Sequence, residues 1–329
     1  MRPLRVLTWH IHGGYLYYLA QSRLELYVPI KPGRPDGYVG LPAGGYPWPA
    51  TVHEVPAVDV PRLRFDCILF QTRRNYLEDQ HELLSEAQRR LPRVYLEHDP
   101  PCEHPTNTTH VVDDPDTLLV HVTPFNELMW DSRRTPTRVI EHGVMVPEHA
   151  RYTGELTRGL VVVNNLRRRG RRLGADVFER ARQDVPLDLI GMGAEDLDGL
   201  GEVPHDILPE FESRYRFFFN PIRYTSLGLA VCEAMMVGMP IVGLATTEMA
   251  TAIENDVSGY VDTDVGRLID RMRALLVHPA EARRLGAGAR RRALERFAIR
   301  RFARDWEEAV RFVAGTPLAG RSLAVGATG

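Results

Sequence analysis

Short apolar runs alternate with amphipathic stretches along almost the whole chain. That alternation restricts it to an α/β architecture with parallel sheets. In the first half, Arg5–Thr8, Leu24–Pro29, Cys67–Gln71, Val94–Glu97, Leu118–Val122 and Arg138–Ile140 read as strands. One amphipathic helix, Tyr76–Leu91, is expected among them. Residues 31–56 are rich in Gly and Pro, carry Tyr38, Tyr46 and Trp48, and are expected to form no regular element. After the polar stretch Pro147–Arg158 a second series begins, with strands Leu160–Val163, Leu187–Ile190, Phe217–Asn220, Ile241–Gly243 and Tyr260–Val261. Helices are expected over Leu173–Asp184, Leu229–Val237, Val265–Val277 and Pro279–Arg296. Two Rossmann-like halves divided near residue 150 fit this pattern, and 329 residues suffice for two cores.

Residues 225–243, TSLGLAVCEAMMVGMPIVG, carry the densest chemistry. Ser226, Leu227 and Gly228 sit where a loop turns into a helix, so their region offers backbone N–H groups with no helical turn to pair with. Gly228 lacks a side chain, which lets a phosphate approach the backbone. Glu233 follows roughly 7.5 Å further along the helix, about the span from a sugar nucleotide's diphosphate to its ribose diol. An ordinary helix–strand corner with a surface glutamate has the same outline. Gly238 and Pro240 end the helix before the next strand.

This stretch resembles the donor-site signature of the GT-B glycosyltransferases, glycosyltransferase family 4 and its relatives in particular. The similarity runs through VVVNNLRRRG, LDLIGMG, FFFNPIRYTSLG, the Glu233 helix and the turn ENDVSGYV. It implies an α/β fold of two Rossmann-like domains facing each other across a cleft. Residues 1–150 would be the acceptor side and 151–298 the nucleotide-sugar side. A helix over 299–315, with Phe302, Trp306, Val310 and Val313 at helical spacing, would cross back to the first domain. Small residues over 316–329 point to a disordered tail.

The same resemblance assigns the diphosphate to Ser226–Gly228, the ribose hydroxyls to Glu233 and the donor sugar to His98, in LEHDPPCEH. Arg169 best matches a phosphate-neutralising lysine. Asn165 falls where an arginine is usual, with Arg167 or Arg168 as substitutes. Arg223 and Tyr224 either meet the donor or pack. The family's further glutamate, eight residues before the ribose-binding one, is replaced by Thr225. Metal independence and retention of anomeric configuration are implied by resemblance alone.

Position singles out one more loop, TWHIHGGY, where Gly13 and Gly14 allow close backbone approach to a donor, while His10 and His12 read equally as wall residues. The formal DxD at Asp196–Asp198 recurs at Asp114/Asp116 and Asp262/Asp264, so it carries little weight, and no metal or cofactor is expected. His98, Cys102, Glu103, His104 and His110 are plausible ligand types without a common zinc spacing. Lys31 is the sole lysine and lies in the wrong half for a pyridoxal-phosphate phosphorylase. Cations on phosphate must therefore be arginines, which suit bidentate contacts. A net charge of −2 and arginines without interleaved aromatics argue against nucleic acid. Cys67, Cys102 and Cys232 are expected to be reduced, buried thiols of a cytoplasmic protein. No apolar run is long enough to span a bilayer. The basic stretch Arg283–Arg304 reads as a solvated face, or as one attracted to anionic lipid beside a lipid-linked acceptor. The reading is a glycosyltransferase using a nucleotide-diphosphate sugar and a hydroxyl acceptor in glycan, lipopolysaccharide or glycolipid biosynthesis. A GT-B protein that binds donor without transfer, and a sugar-nucleotide epimerase, are the alternatives. The oligomeric state is not legible.

Overall fold

The computed structural model describes residues 2–42 and 46–315. The expected tail, 316–329, lies outside them. Two units emerge: one within Met1–Pro42, Trp48–Ile140 and Ala303–Gly329, the other within Ala43–Pro47 and Glu141–Phe302.

The N-terminal unit holds a seven-stranded, all-parallel sheet. Its strands are β1 (Arg5–Thr8), β2 (Glu25–Ile30), β3 (Val52–Pro56), β4 (Cys67–Phe70), β5 (Arg93–Glu97), β6 (Thr117–His121) and β7 (Thr137–Val139), in spatial order β3-β2-β1-β4-β5-β6-β7. The order reverses between β1 and β4, so the loops leaving those strands diverge and open a crevice at their carboxyl ends. Leu7, Trp9, Ile68, Phe70, Tyr95 and Leu119 form the centre of one core cluster. The last helix, Ile299–Gly315, contributes Trp306, whose Nε1 donates to the Tyr15 hydroxyl at 3.0 Å.

Two expectations fail here. Residues 31–56 do contain a regular element: β3 pairs with β2 from Leu26/Val52 to Ile30/Pro56. As an edge strand it tolerates Pro56 at its end, and its sequence, Val-His-Glu-Val-Pro, carries no two-residue apolar alternation to stand out after a Gly/Pro-rich run. Nor is Tyr76–Leu91 one helix. A π-turn over Asn75–Asp79 leads into Gln80–Leu83, Leu84 is extended, and a 3-10 turn follows at Gln88–Arg90. Side chains take over there: Gln88 Nε2 donates to Val60 O at 2.8 Å and Leu63 O at 2.9 Å, and Asn75 Nδ2 to Asp79 Oδ2 at 2.7 Å.

The C-terminal unit holds a five-stranded parallel sheet: β8 (Leu156–Val162), β9 (Leu187–Ile190), β10 (Tyr215–Asn220), β11 (Ile241–Leu244) and β12 (Gly259–Asp262), in order β12-β11-β10-β8-β9. Phe217, Phe218 and Phe219 of β10 are all buried, each stabilising by roughly 1.5–3 kcal/mol. The helices Leu229–Val237, Val265–Val277 and Pro279–Arg296 fall where the sequence places them. The expected Leu173–Asp184 helix instead begins earlier, at Leu166–Leu173 with a break at Gly170 (φ 58°, ψ −139°), and resumes at Ala175–Ala181. Most arginines of the Arg283–Arg304 stretch, Arg283, Arg284, Arg291, Arg300 and Arg304, are exposed as expected of a solvated face, while Arg290, Arg292, Arg296 and Arg301 are half-buried. Arg284 holds Glu281, Arg290 holds Met236 O, Arg292 reaches Ala252 O, and Arg296 bridges Glu141 and Glu248.

Of the three cysteines, Cys67 and Cys232 are buried and their thiols are pushed up by desolvation, Cys67 to about 12. Cys102 is exposed, contrary to expectation, because it sits in the loop beyond Pro100-Pro101. No helix among the described residues is long and apolar enough to cross a membrane.

Candidate functional site

In the C-terminal unit β8 and β10 are neighbours and the order turns at them, so the loops leaving both strands share one corner. The loop after β10 runs from Pro221 to Gly228. Its Arg223 and Tyr224 amides both donate to Arg172 O at 3.1 Å, tying it to the arginine-rich loop after β8. Gly174 (φ +82°) makes that closeness feasible, because a Cβ there would run into the Pro221 carbonyl. The corner therefore brings Arg171, Arg172 and Gly174, at the end of the helix that carries Arg169, against Pro221, Arg223 and Tyr224.

Each expected site residue has a distinct setting. Asn165 adopts a left-handed conformation (φ 53°), receives the Arg169 amide on its carbonyl at 2.9 Å, and caps the short helix carrying Arg169. Arg167 and Arg168 are exposed, and Arg167 is bound to Asp196 O at 2.8 Å. Arg223 is gripped by Asp176 through both terminal nitrogens, at 2.5 and 2.8 Å, so its charge holds the loop in shape. Tyr224 and Thr225 are half-buried.

Beyond them the loop opens. Ser226 Oγ is buried and has no hydrogen-bond partner among the described residues. Gly228 is the extended residue preceding the Leu229–Val237 helix (φ −72°, ψ 143°), and a Cβ placed on it would meet nothing within 4 Å. In the first turn of that helix the Val231 amide donates to Gly228 O at 3.1 Å, while the Leu229 and Ala230 amides have no preceding turn to serve as acceptor. Leu227 is buried, and its carbonyl accepts from His142 Nε2 at 2.8 Å. Arg301 in turn holds the carbonyls of Glu141 and His142.

Glu233 lies on the same helix, almost buried, with Oε1 3.4 Å from His205 Nε2. Tyr46 lies over the His205 ring with centroids 4.6 Å apart. Behind the helix stands Glu212, fully buried, neither carboxyl oxygen having a partner among the described residues. Burial first, and then the Glu233 charge, push its carboxyl well above the usual carboxylate range. His142, His205 and Glu212 went unnoticed in the sequence, since only the fold brings them to this helix.

In the N-terminal unit, His12 precedes the Gly13–Leu19 helix, so the Gly13 and Gly14 amides lie in its first turn, at the carboxyl end of β1. His98 follows β5. Its ring meets His12 edge-on at 4.3 Å and Tyr15 at 4.9 Å. Its loop is held by Asn126 Nδ2 donating to His98 O at 3.1 Å and by Trp130 Nε1 donating to Asp99 O at 2.8 Å. His10 lies apart, buried and donating from Nδ1 to Gly40 O, with its basicity lowered by desolvation. His110 donates to Glu97 Oε2 at 3.1 Å, and Asp198 pairs with Arg182. Among the described residues, no group of three or more His, Cys, Asp or Glu could hold a metal ion.

Comparison with known proteins bears on the fold and on the segment that carries β10. Residues 167–308 match a family described as glycosyl transferase-like. A trehalose synthase from Pyrococcus horikoshii is 27% identical over 115 residues, which is 35% of this chain and 25% of that protein. The chain thus matches only about a quarter of that relative's length. A sucrose-phosphate synthase from Thermosynechococcus elongatus superposes over 95% of this chain and 100% of its own, with a TM-score of 0.68 at 15% identity. Anabaena HepE in complex with UDP-glucose does so over 94% and 100%, at 0.67 and 14%. TarM covers 77% of this chain and 57% of its own, at 0.56 and 14%. The fold is GT-B, and the matched segment contains β10, the loop that follows it and the Leu229–Val237 helix, while β8 and Asn165 lie before it.

Proposed function

We propose that this chain, with the GT-B fold and a glycosyl transferase-like segment, moves a sugar from a nucleoside diphosphate to a hydroxyl of a glycan or lipid-linked acceptor. Retention at the anomeric carbon, metal independence, and a peripheral cytoplasmic site of action in glycan or glycolipid synthesis belong to the same proposal. The observation that carries it is the end of β10. There an unpartnered Ser226 hydroxyl, a Gly228 backbone fronting open space and a helix start stand together, with Glu233 further along the same helix.

A diphosphate seated there meets the positive end of the helix dipole, and Glu233 accepts from the ribose hydroxyls. As the glycosidic bond breaks, negative charge gathers on the leaving diphosphate. The first-turn amides and Arg169 stabilise that charge more than they stabilise the ground state. His98 contacts the donor sugar, and Gly13 and Gly14 bring backbone amides to it. HepE and TarM are described in complexes with UDP, so UDP and UDP-glucose are the first probes.

Glu233→Ala is expected to weaken UDP binding in calorimetry at least about tenfold, ~1.4 kcal/mol. Parental affinity would remove Glu233 from the site. The parental protein, given nucleotide sugars and an acceptor with and without a chelator, tests transfer through nucleotide release and NMR of the product anomer. Inhibition by the chelator, or an inverted product, would refute those two parts. Thr225, standing where the family has a carboxylate, favours one other reading, donor binding without transfer. Nucleotide release dependent on acceptor excludes it, and excludes an epimerase as well.

A further inference from the structure

We propose that Gln71 is a positioning residue for His98, fixing which ring nitrogen carries the proton. The inference deepens the donor-sugar role proposed above for His98 and rests on it.

Gln71 leaves β4 at the point where the strand order reverses, and only 5% of it is exposed. Its amide makes three hydrogen bonds. Nε2 lies 2.8 Å from Thr8 Oγ1 and 2.7 Å from Trp9 O, and Oε1 lies 3.0 Å from His98 Nε2. The Trp9 carbonyl can only accept, so the amide atom facing it must be the NH2 group. Turning the amide over would set two carbonyl oxygens against each other. Oε1 therefore faces the histidine, and since an amide oxygen only accepts, His98 Nε2 must carry the hydrogen.

The orientation is over-determined. Both amide hydrogens have acceptors, Thr8 is fully buried, and the amide bridges residues at or beyond the ends of β1, β4 and β5. The backbone of His98 is held separately, by Asn126. With the proton on Nε2, the neutral ring has its lone pair on Nδ1. Any hydrogen bond made there by neutral His98 is one it accepts, so a sugar hydroxyl must be the donor to it. Only a protonated ring could donate from Nδ1. His12 and Tyr15 face the ring, both edge-on. Sequence gives no hint of this, because Gln71 reads as the polar end of an apolar strand.

The test begins with the intact protein. In long-range proton–nitrogen NMR at neutral pH, with His98→Ala used for assignment, His98 is expected as the Nε2–H form with a slowly exchanging ring proton. A ring protonated on Nδ1 instead would overturn the proposal, whether or not any variant folds. Gln71→Met keeps the volume and removes all three hydrogen bonds. It should speed exchange of that ring proton and lower kcat about tenfold while leaving the donor KM within about threefold. In a His98→Ala background the same change should cost nothing further in kcat, because both residues act through one ring. An equal loss in both backgrounds would make Gln71 a structural tie and refute the proposal. A His98→Ala enzyme with parental turnover would remove His98 from the reaction yet leave the tautomer assignment standing, so the two failures are distinguishable.

Discussion

Two corners at the carboxyl ends of the sheets, one after β4 and β5 and one after β10, treat their polar groups in opposite ways. At the end of β4 and β5 the protein satisfies its own groups: Gln71 uses both hydrogens and its oxygen, and Asn126 and Trp130 close the His98 loop. At the end of β10 it does not. Ser226 Oγ is buried without a partner among the described residues, and Gly228 borders empty space. A satisfied network holds a side chain in one orientation before any ligand arrives, as catalytic geometry requires. An orphaned hydroxyl beside a helix start costs free energy until an anion supplies the missing acceptor. One corner is set in advance; the other, on the function proposed above, is completed by its ligand.

The glycines of the β10 corner divide along the same line, which gives the largest expected effect. Gly174 is structural: it has φ +82°, and a Cβ would collide with the Pro221 carbonyl. Gly174→Ala should therefore lower stability by about 3 kcal/mol or more in urea unfolding, combining left-handed strain with a backbone clash. A loss below about 1 kcal/mol would mean that the two loops are not pressed together as described.

Buried ionisable groups extend the contrast to pH. His121, at the end of β6, is fully buried, and neither ring nitrogen has a partner among the described residues. Desolvation, and then the nearby His110, pull it from 6.5 down to about 3. Its folded form stays neutral while the unfolded chain takes up a proton, so the contribution is present above 6.5 and lost as pH falls through that window. Glu212 has the opposite sign. Its raised carboxyl keeps a proton that the unfolded chain releases near 4.5, so stability is lost as pH rises above that value. Each slope approaches about 1.4 kcal/mol per pH unit, and between 4.5 and 6.5 they oppose one another. Glu212→Met should leave a protein whose stability declines steadily as pH falls below 6.5. His121→Leu should leave one that strengthens as pH falls towards 4.5. Denaturant titrations across this range measure both. Parallel pH curves for the two variants would refute the assignment.

Local signals made much of this legible. The Leu229–Val237 helix falls at its expected bounds because Gly228 and Gly238 bracket an apolar run interrupted only by Glu233. Val265–Val277 was equally clear, with Asp264 capping the Gly266 and Arg267 amides. What stayed hidden depends on residues distant in sequence. β3 exists only because β2 offers it an edge, and the Tyr76–Leu91 pattern is broken by Gln88 reaching back to Val60 and Leu63. Gln71, His142, His205 and Glu212 carry no motif of their own. Each matters through a partner that only the folded chain supplies.

The smallest effect is the sharpest discriminator between the two kinds of glycine. Gly228 has an ordinary φ of −72° and open space where a Cβ would stand, so Gly228→Ala should change the stability of the ligand-free protein by no more than about 0.5 kcal/mol. The same methyl would occupy the ground over which a diphosphate must approach the helix start. UDP affinity should then fall about tenfold, ~1.4 kcal/mol, in calorimetry. Gly40, in the N-terminal unit, serves as the control. Its φ is +68°, and Glu54, Arg34 and Ile30 crowd the position of a Cβ, so alanine there should cost stability outright. If Gly228→Ala instead lowered stability and left UDP binding intact, the open space at the end of β10 would be a packing feature of the helix start, and the distinction between a preset corner and a waiting one would fail at its waiting end.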